Sequence, residues 1–209
     1  MRKINVFIIA CIMAISSFNA LGQGGDAGGG GGVSLEVTAS PFVNTEALLT
    51  PGFIRAKYLM GPYAVRLGFI GSLNNNETDP NTILHQGFFD IRPGGEYYFS
   101  TGKATTYAGG EFIIQNRSSN KNSTTEIGVA NATDQYGSNR AYFGWGVGIF
   151  AGLDYYWGER FYVGIELGYD LVSRSYKGVE MAGQEIIEPT KNFSMGTNYS
   201  NVFKIGFNF

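Results

Sequence analysis

Gly146-Val147-Gly148-Ile149-Phe150-Ala151 spells G-x-G-x-x-A. That spacing serves turns which bring the backbone against a pyrophosphate at the start of a helix, and Glu166 follows at about the distance of a ribose-binding acid. His85 is the sole histidine, with Ser72, Asp79 and Asp90 near it in sequence. A base and a nucleophile for hydrolytic chemistry could be drawn from such residues. Glu96, Glu111, Asp154 and Glu166 offer carboxylates for paired acid–base work. Metal chemistry has little to draw on, because one His and no Cys remain once the N-terminal leader is removed.

Each of these chemistries needs an element to position it. The fingerprint must close a strand and open a helix. Around it, "FGWGVGIFAGLDYYW" alternates with period two from Phe143 through Tyr155 and then meets a tight Gly158-Glu159 turn. No helix follows. The glycines therefore read as one phase of a strand, and Glu166 as a residue of the next strand.

Seven further segments alternate in the same way, so that eight are expected: Val33–Ser40, Gly52–Met60, Tyr63–Gly71, Asp90–Ser100, Thr105–Asn116, Ala141–Trp157, Arg160–Arg174 and Tyr199–Phe209. Their connections alternate in length. Gly61-Pro62, Thr101 to Ala104 and Gly158-Glu159 are short. Pro41–Pro51, Ser72–Phe89, Arg117–Arg140 and Lys177–Asn198 are long and polar. This is the layout of an all-β, eight-stranded antiparallel up-and-down transmembrane β-barrel, with short turns on the periplasmic side and long loops outside.

The two phases of the strands differ in content. In the sixth segment one phase is Phe143, Trp145, Val147, Ile149, Ala151, Leu153 and Tyr155, and the other is rich in glycine with Asp154. Across all segments, the second phase collects the acids Glu36, Glu96, Glu111, Asp154, Glu166 and Asp170. It also collects the bases Arg55, Lys57, Arg66, Arg92, Arg174 and Lys204. Buried charge is costly unless paired, and an eight-stranded barrel is just wide enough for its inward side chains to fill. A balanced charged set therefore fits an interior network, with the apolar phase turned outward to lipid. Structural ion pairs account for the carboxylates better than catalysis does. Gly144, Gly146, Gly148, Gly152, Gly164 and Gly168 leave room inside, which keeps open a small pore for ions or apolar molecules as an alternative to a sealed barrel. Aromatic residues beside the short turns (Tyr63, Tyr97, Tyr98, Phe99, Tyr155, Tyr156, Trp157, Phe161 and Tyr162) read as an interfacial girdle.

The N-terminus reads as a secretory leader: Arg2 and Lys3, an apolar run from Ile4 to Ile15, and a small-x-small site at Ala20-Leu21-Gly22. A lipoprotein reading at Cys11 competes with cleavage after Gly22, although the apolar run continues past Cys11. The expected organisation is a signal peptide at 1–22, a Gly-rich tether at 23–32 and a barrel at 33–209. Only 15% of residues are charged and 31 are Gly, and no basic patch suits nucleic acid.

With these features in place, the chain resembles the small OmpA/OmpX-type outer-membrane barrels, particularly the short barrel proteins of Bacteroidota. The resemblance covers Val33 to Phe209 and rests on the leader, the eight alternating segments and the ending "FKIGFNF". It implies location in the bacterial outer membrane, contact with outer-membrane lipid and lipopolysaccharide, and no periplasmic domain after Phe209. It also implies recognition of Phe203, Ile205, Phe207 and Phe209 by the barrel-assembly machinery. No enzymatic activity, cofactor, metal or nucleic-acid partner is expected. Function is expected to be structural, or to reside in the long loops, or in membership of a larger envelope complex. The alternatives are a pore, as above, and, less favoured, a lipid-modifying enzyme built on His85.

Overall fold

A computed structural model describes residues 32–40, 50–100, 102–124, 127–198 and 202–209. The expected leader with Cys11, and the tether up to residue 31, lie outside the described residues. Gly32, expected to end the tether, instead opens the first strand.

The described residues form twelve strands: β1 Gly32–Ser40, β2 Thr50–Met60, β3 Tyr63–Asp79, β4 Thr82–Tyr98, β5 Ala104–Ser123, β6 Val129–Ala130, β7 Tyr142–Trp157, β8 Phe161–Tyr176, β9 Val179–Met181, β10 Gln184–Ile187, β11 Thr190–Asn198 and β12 Phe203–Asn208. Antiparallel pairing runs β1-β2-β3-β4-β5-β7-β8. The eighth position is shared by β11 and β12, which both pair with β8. β12 then closes the barrel on β1, for example Val37↔Ile205. The result is a closed eight-stranded antiparallel β-barrel, and closure removes the unpaired edges an open sheet would present.

The short turns follow from local chemistry. Met60 pairs with Tyr63, leaving Gly61-Pro62 as a two-residue loop. Gly61 has φ 60, and proline fixes the next φ near its negative value, which is the type II′ arrangement that matches strand twist. Gly158, with φ 84, opens the turn between Trp157 and Phe161.

Two of the expected long loops are largely strand, and a third is so in part. The Ser72–Phe89 connection continues as the β3–β4 hairpin, paired from Ser72↔Phe88 to Asp79↔Thr82. β5 likewise runs on to Ser123, and Thr190–Asn198 pairs with β8. Polar alternation on both faces removes the hydrophobic signal but leaves the ladder hydrogen bonds intact, so these extensions are silent to a pattern based on apolar residues.

Above the barrel rim, β6 pairs with β5 and β9, and β9 with β10. Val129, Ala132 and Val179 are buried together there, packed against Met181 and Ile187. Val129 of β6 and Ile187 of β10 thus contribute to one small apolar cluster. Arg140 fastens this sheet: its Nη2 donates to the carbonyls of Lys177 and Glu188, both at 2.7 Å. At the tip, hydrogen bonds from Ser138 and then Tyr136 hold the Asp134 carboxyl below the usual aspartate range. Replacing Arg140 with alanine is expected to accelerate backbone hydrogen exchange at 129–140 and 177–188 by roughly tenfold, as loss of charge-assisted bonds to two carbonyls implies. Exchange in β7 and β8 below Tyr176 should stay unchanged.

Candidate functional site

Period-two alternation sends one set of side chains into the barrel and the other out of it. The inward set is polar and buried. Glu36, Thr38, Arg55, Lys57, Arg66, Glu96, Asp154, Glu166 and Lys204 are all at most 3% exposed. The outward set is apolar: Leu67 is 52% exposed, Ile149 68% and Leu167 65%. This is the reverse of a water-soluble barrel, in which apolar side chains fill the middle.

The interior charges form one connected network. At the short-turn end, Lys204 bridges Asp154 (2.8 Å) and Glu36 (3.0 Å). Glu36 also holds Lys57 (2.6 Å) and Arg55 (3.1 Å). Lys57 continues to Glu96 (2.9 Å), and Arg55 to Glu166 (3.0 Å). Arg66 sits at the centre, with Glu96 at 3.0 Å, Glu166 at 2.8 Å and Glu111 on its other nitrogen. Its guanidinium carbon stacks 3.2 Å over the Phe150 ring. Arg92 completes the chain by holding Glu111 (2.9 Å), Asp170 (2.8 Å) and Asp90 (3.0 Å). Five cations and seven carboxylates are joined in this way.

Phenol groups add further hydrogen bonds to carboxylate oxygens that the cations already hold. Tyr98 donates to Glu96 (2.7 Å), Tyr107 to Glu166 (2.9 Å) and Tyr162 to Glu36 (2.7 Å). The lysine ammonium groups also rest against rings, with Lys204 Nζ 4.2 Å from the Tyr107 centroid. Desolvated charges are tolerable only with this density of partners.

Eleven of the twelve expected interior residues therefore belong to the network: Glu36, Arg55, Lys57, Arg66, Arg92, Glu96, Glu111, Asp154, Glu166, Asp170 and Lys204. Arg174 does not. It lies further out, with Nε 3.1 Å from Gln115 Oε1 and Nη1 3.0 Å from Ser194 Oγ. Asp90 takes a place that the sequence reading did not assign to it. Its membership was legible, since Asp90 shares a strand phase with Arg92 and Glu96.

Most of the inward glycines face occupied space. A Cβ at Gly164 would stand 2.8 Å from Lys204 Cε, at Gly206 2.6 Å from Tyr162 Cε1, and at Gly109 2.8 Å from Phe150 Cε2. The small residues make room for neighbouring rings and ion pairs, which already occupy that space. Gly146 and Gly148 lie mid-strand in β7, paired on both sides, so the nucleotide fingerprint has no turn to stand on.

Tyr98, Tyr156 and Tyr162, expected in the girdle, point inward and are buried instead, because each is one residue out of phase with its outward neighbours. Tyr63, Tyr97, Phe99, Tyr155, Trp157 and Phe161 do face outward. Phe203, Ile205 and Phe207 face outward on β12, and Phe209 stacks edge-on against Phe207, 5.1 Å between centroids. His85 is paired opposite Asn75, with Nδ1 2.9 Å from Asn75 Oδ1. It is on the outward phase of β4, whereas Asp90 is inward and engaged by Arg92 and Gln115. The two cannot form a base–acid pair across the sheet. No protein-family model and no curated protein matches the chain.

Proposed function

We propose that the chain is a non-enzymatic integral barrel of the bacterial outer membrane, closed to ions by its interior salt-bridge network, and working structurally or through the sheet and loops above its rim. The observation that carries this reading is the inverted polarity of the barrel. Charged residues fill the interior, and the outward phase of the described strands is predominantly apolar. Such a surface is stable where lipid, not water, surrounds it.

The dimensions agree. On β3 the outward residues are apolar or glycine from Tyr63 to Leu73 and polar from Asn75. On β8 they are apolar from Phe161 to Leu171 and polar from Ser173. Ten residue steps cover about 33 Å of strand, and a tilt of about 40° projects this to about 25 Å, the height of the apolar band of outer-membrane barrels. The outward aromatics at the short-turn end (Tyr63, Tyr97, Tyr155, Trp157 and Phe161) mark one boundary. In this placement the β6–β9–β10 sheet stands outside the membrane, where it would meet lipopolysaccharide or an envelope partner, and β12 presents its outward aromatics to the assembly machinery.

Reconstitution into planar bilayers tests the sealed interior. Insertion without steps of stable conductance is the expected result, because the ion-pair network spans the section between β12 and β4. Large, long-lived conductance steps from purified protein would overturn it and favour a pore.

A further inference from the structure

Above the network, the barrel interior opens into a cavity of about 460 Å³, within the range of small-molecule sites. Its apolar wall is built by Phe53, Ile70, Phe88 and Val172, and its polar side by Arg174 with Gln115 and Ser194. Asp90, Arg92 and Asp170 form the floor. Gly196 of β11 also lines it, and a Cβ there would meet nothing within 4 Å. Among the described residues, β2 pairs with β3 only as far as Ile54↔Phe69, and β11 pairs only with β8. Met195 and Thr197 alternate with the inward residues of β11, yet they too border the cavity. The space therefore reaches the strand edge as well as the interior.

Arg174 distinguishes this cavity. Every other interior cation holds at least two carboxylates: Arg55, Lys57, Arg66, Arg92 and Lys204 all do. Among the described residues, Arg174 has none within salt-bridge range. Its fork is held by two neutral acceptors, Gln115 and Ser194, and by the Tyr142 ring 5.6 Å away. An oriented guanidinium without an acid suits an anionic oxygen pair. The acids in the same cavity are already engaged, Asp90 by Arg92 and Gln115 and Asp170 by Arg92, so Arg174 is the group left to recognise a ligand.

We infer that this cavity binds a small amphiphile with an anionic head, a carboxylate or phosphate on Arg174, and an apolar body against Phe53, Ile70, Phe88 and Val172. This goes beyond the sealed-barrel reading. It depends on the interior above the network and not on whether the barrel conducts.

The test uses the full mature chain, folded in nanodiscs of phosphatidylcholine, with dansylaminoundecanoate as the fluorescent probe and empty nanodiscs as the blank. Saturable fluorescence above the blank is expected. Arg174→Gln should weaken it at least tenfold, as loss of one charge-assisted pair implies. Gly196→Phe should abolish it by filling the cavity, and Lys191→Gln on the outward face should leave it unchanged. Heat-modifiable gel mobility verifies that each variant is folded. Dodecanoate and dodecyl phosphate should displace the probe, and dodecyltrimethylammonium should not. Equal displacement by acetate or inorganic phosphate at the same concentration would assign the site to free anions and overturn the amphiphile. Absence of saturable binding, retention by Arg174→Gln in a folded barrel, or displacement by the cationic amphiphile would overturn the site.

Discussion

Replacing Arg66 with methionine is expected to lower the unfolding free energy of the barrel by about 3–5 kcal/mol, the cost of leaving buried charges without their partner. Arg66 is the network's centre, serving Glu96, Glu111 and Glu166 at once. Methionine keeps the apolar stem but gives up both the ion pairs and the guanidinium's stack on Phe150. Two of the three acids retain strong partners: Lys57 holds Glu96, and Arg55 holds Glu166. Among the described residues, Glu111 keeps only Arg92. Urea titration, followed by heat-modifiable mobility and by the fluorescence of Trp145 and Trp157, measures the change. Arg66→Lys should fall between, since an ammonium cannot span three carboxylates or stack on the ring as a planar guanidinium does. In the double variant Arg66→Met with Glu166→Gln, the loss should be less than the sum of the singles, because one of the stranded charges is gone. A loss below about 1 kcal/mol for Arg66→Met would mean that the interior is wet enough to screen its charges, as at an exposed pair.

Leu167→Arg is the second large effect, expected to cost about 2–4 kcal/mol in a bilayer, the penalty for arginine on the lipid face at mid-depth. Leu167 is 65% exposed and lies within the apolar run Phe161–Leu171 of β8. Nothing in the barrel itself penalises arginine there. A surface change of this kind in water stays within about 0.5 kcal/mol, so the measurement separates a lipid-facing wall from a water-facing one. Ser173→Arg, outward on the same strand beyond the apolar run, should cost only about 0–1 kcal/mol, as at an interface. Equal, small effects at both positions would remove the membrane placement while leaving the fold untouched.

Both predictions depend on which way a phase points, and most of that was legible in the residues. Alternation in β7, β8 and β12 was complete enough to separate Trp145, Ile149 and Leu167 from Asp154, Glu166 and Lys204. The same parity argument, followed strictly, puts Tyr98 on the inward phase with Glu96 and Tyr162 on the inward phase with Glu166. Treating the aromatics as a cluster by position along the chain obscured it. Asp90 was lost in the same way, through being weighed against His85 and not with Arg92.

What sequence alone determined here is the local and periodic part: that the chain forms strands, that turns fall at Gly61-Pro62 and around Gly158-Glu159 (where Arg160, expected to open the next strand, joins the turn), and which residues share a face. Backbone geometry enforces these within a few residues. Pairing between distant strands was decided only in three dimensions. Glu36 meets Lys204 at 3.0 Å, although 168 positions separate them, because β12 closes on β1. Arg174 shares a phase and a charge with Arg92, yet among the described residues no acid pairs with it, because it stands two inward positions beyond Asp170 on β8 and so above the network. Composition showed six acids and six bases in one phase. Only the register of a closed barrel settled which of them hold one another and which cation is left to face open space.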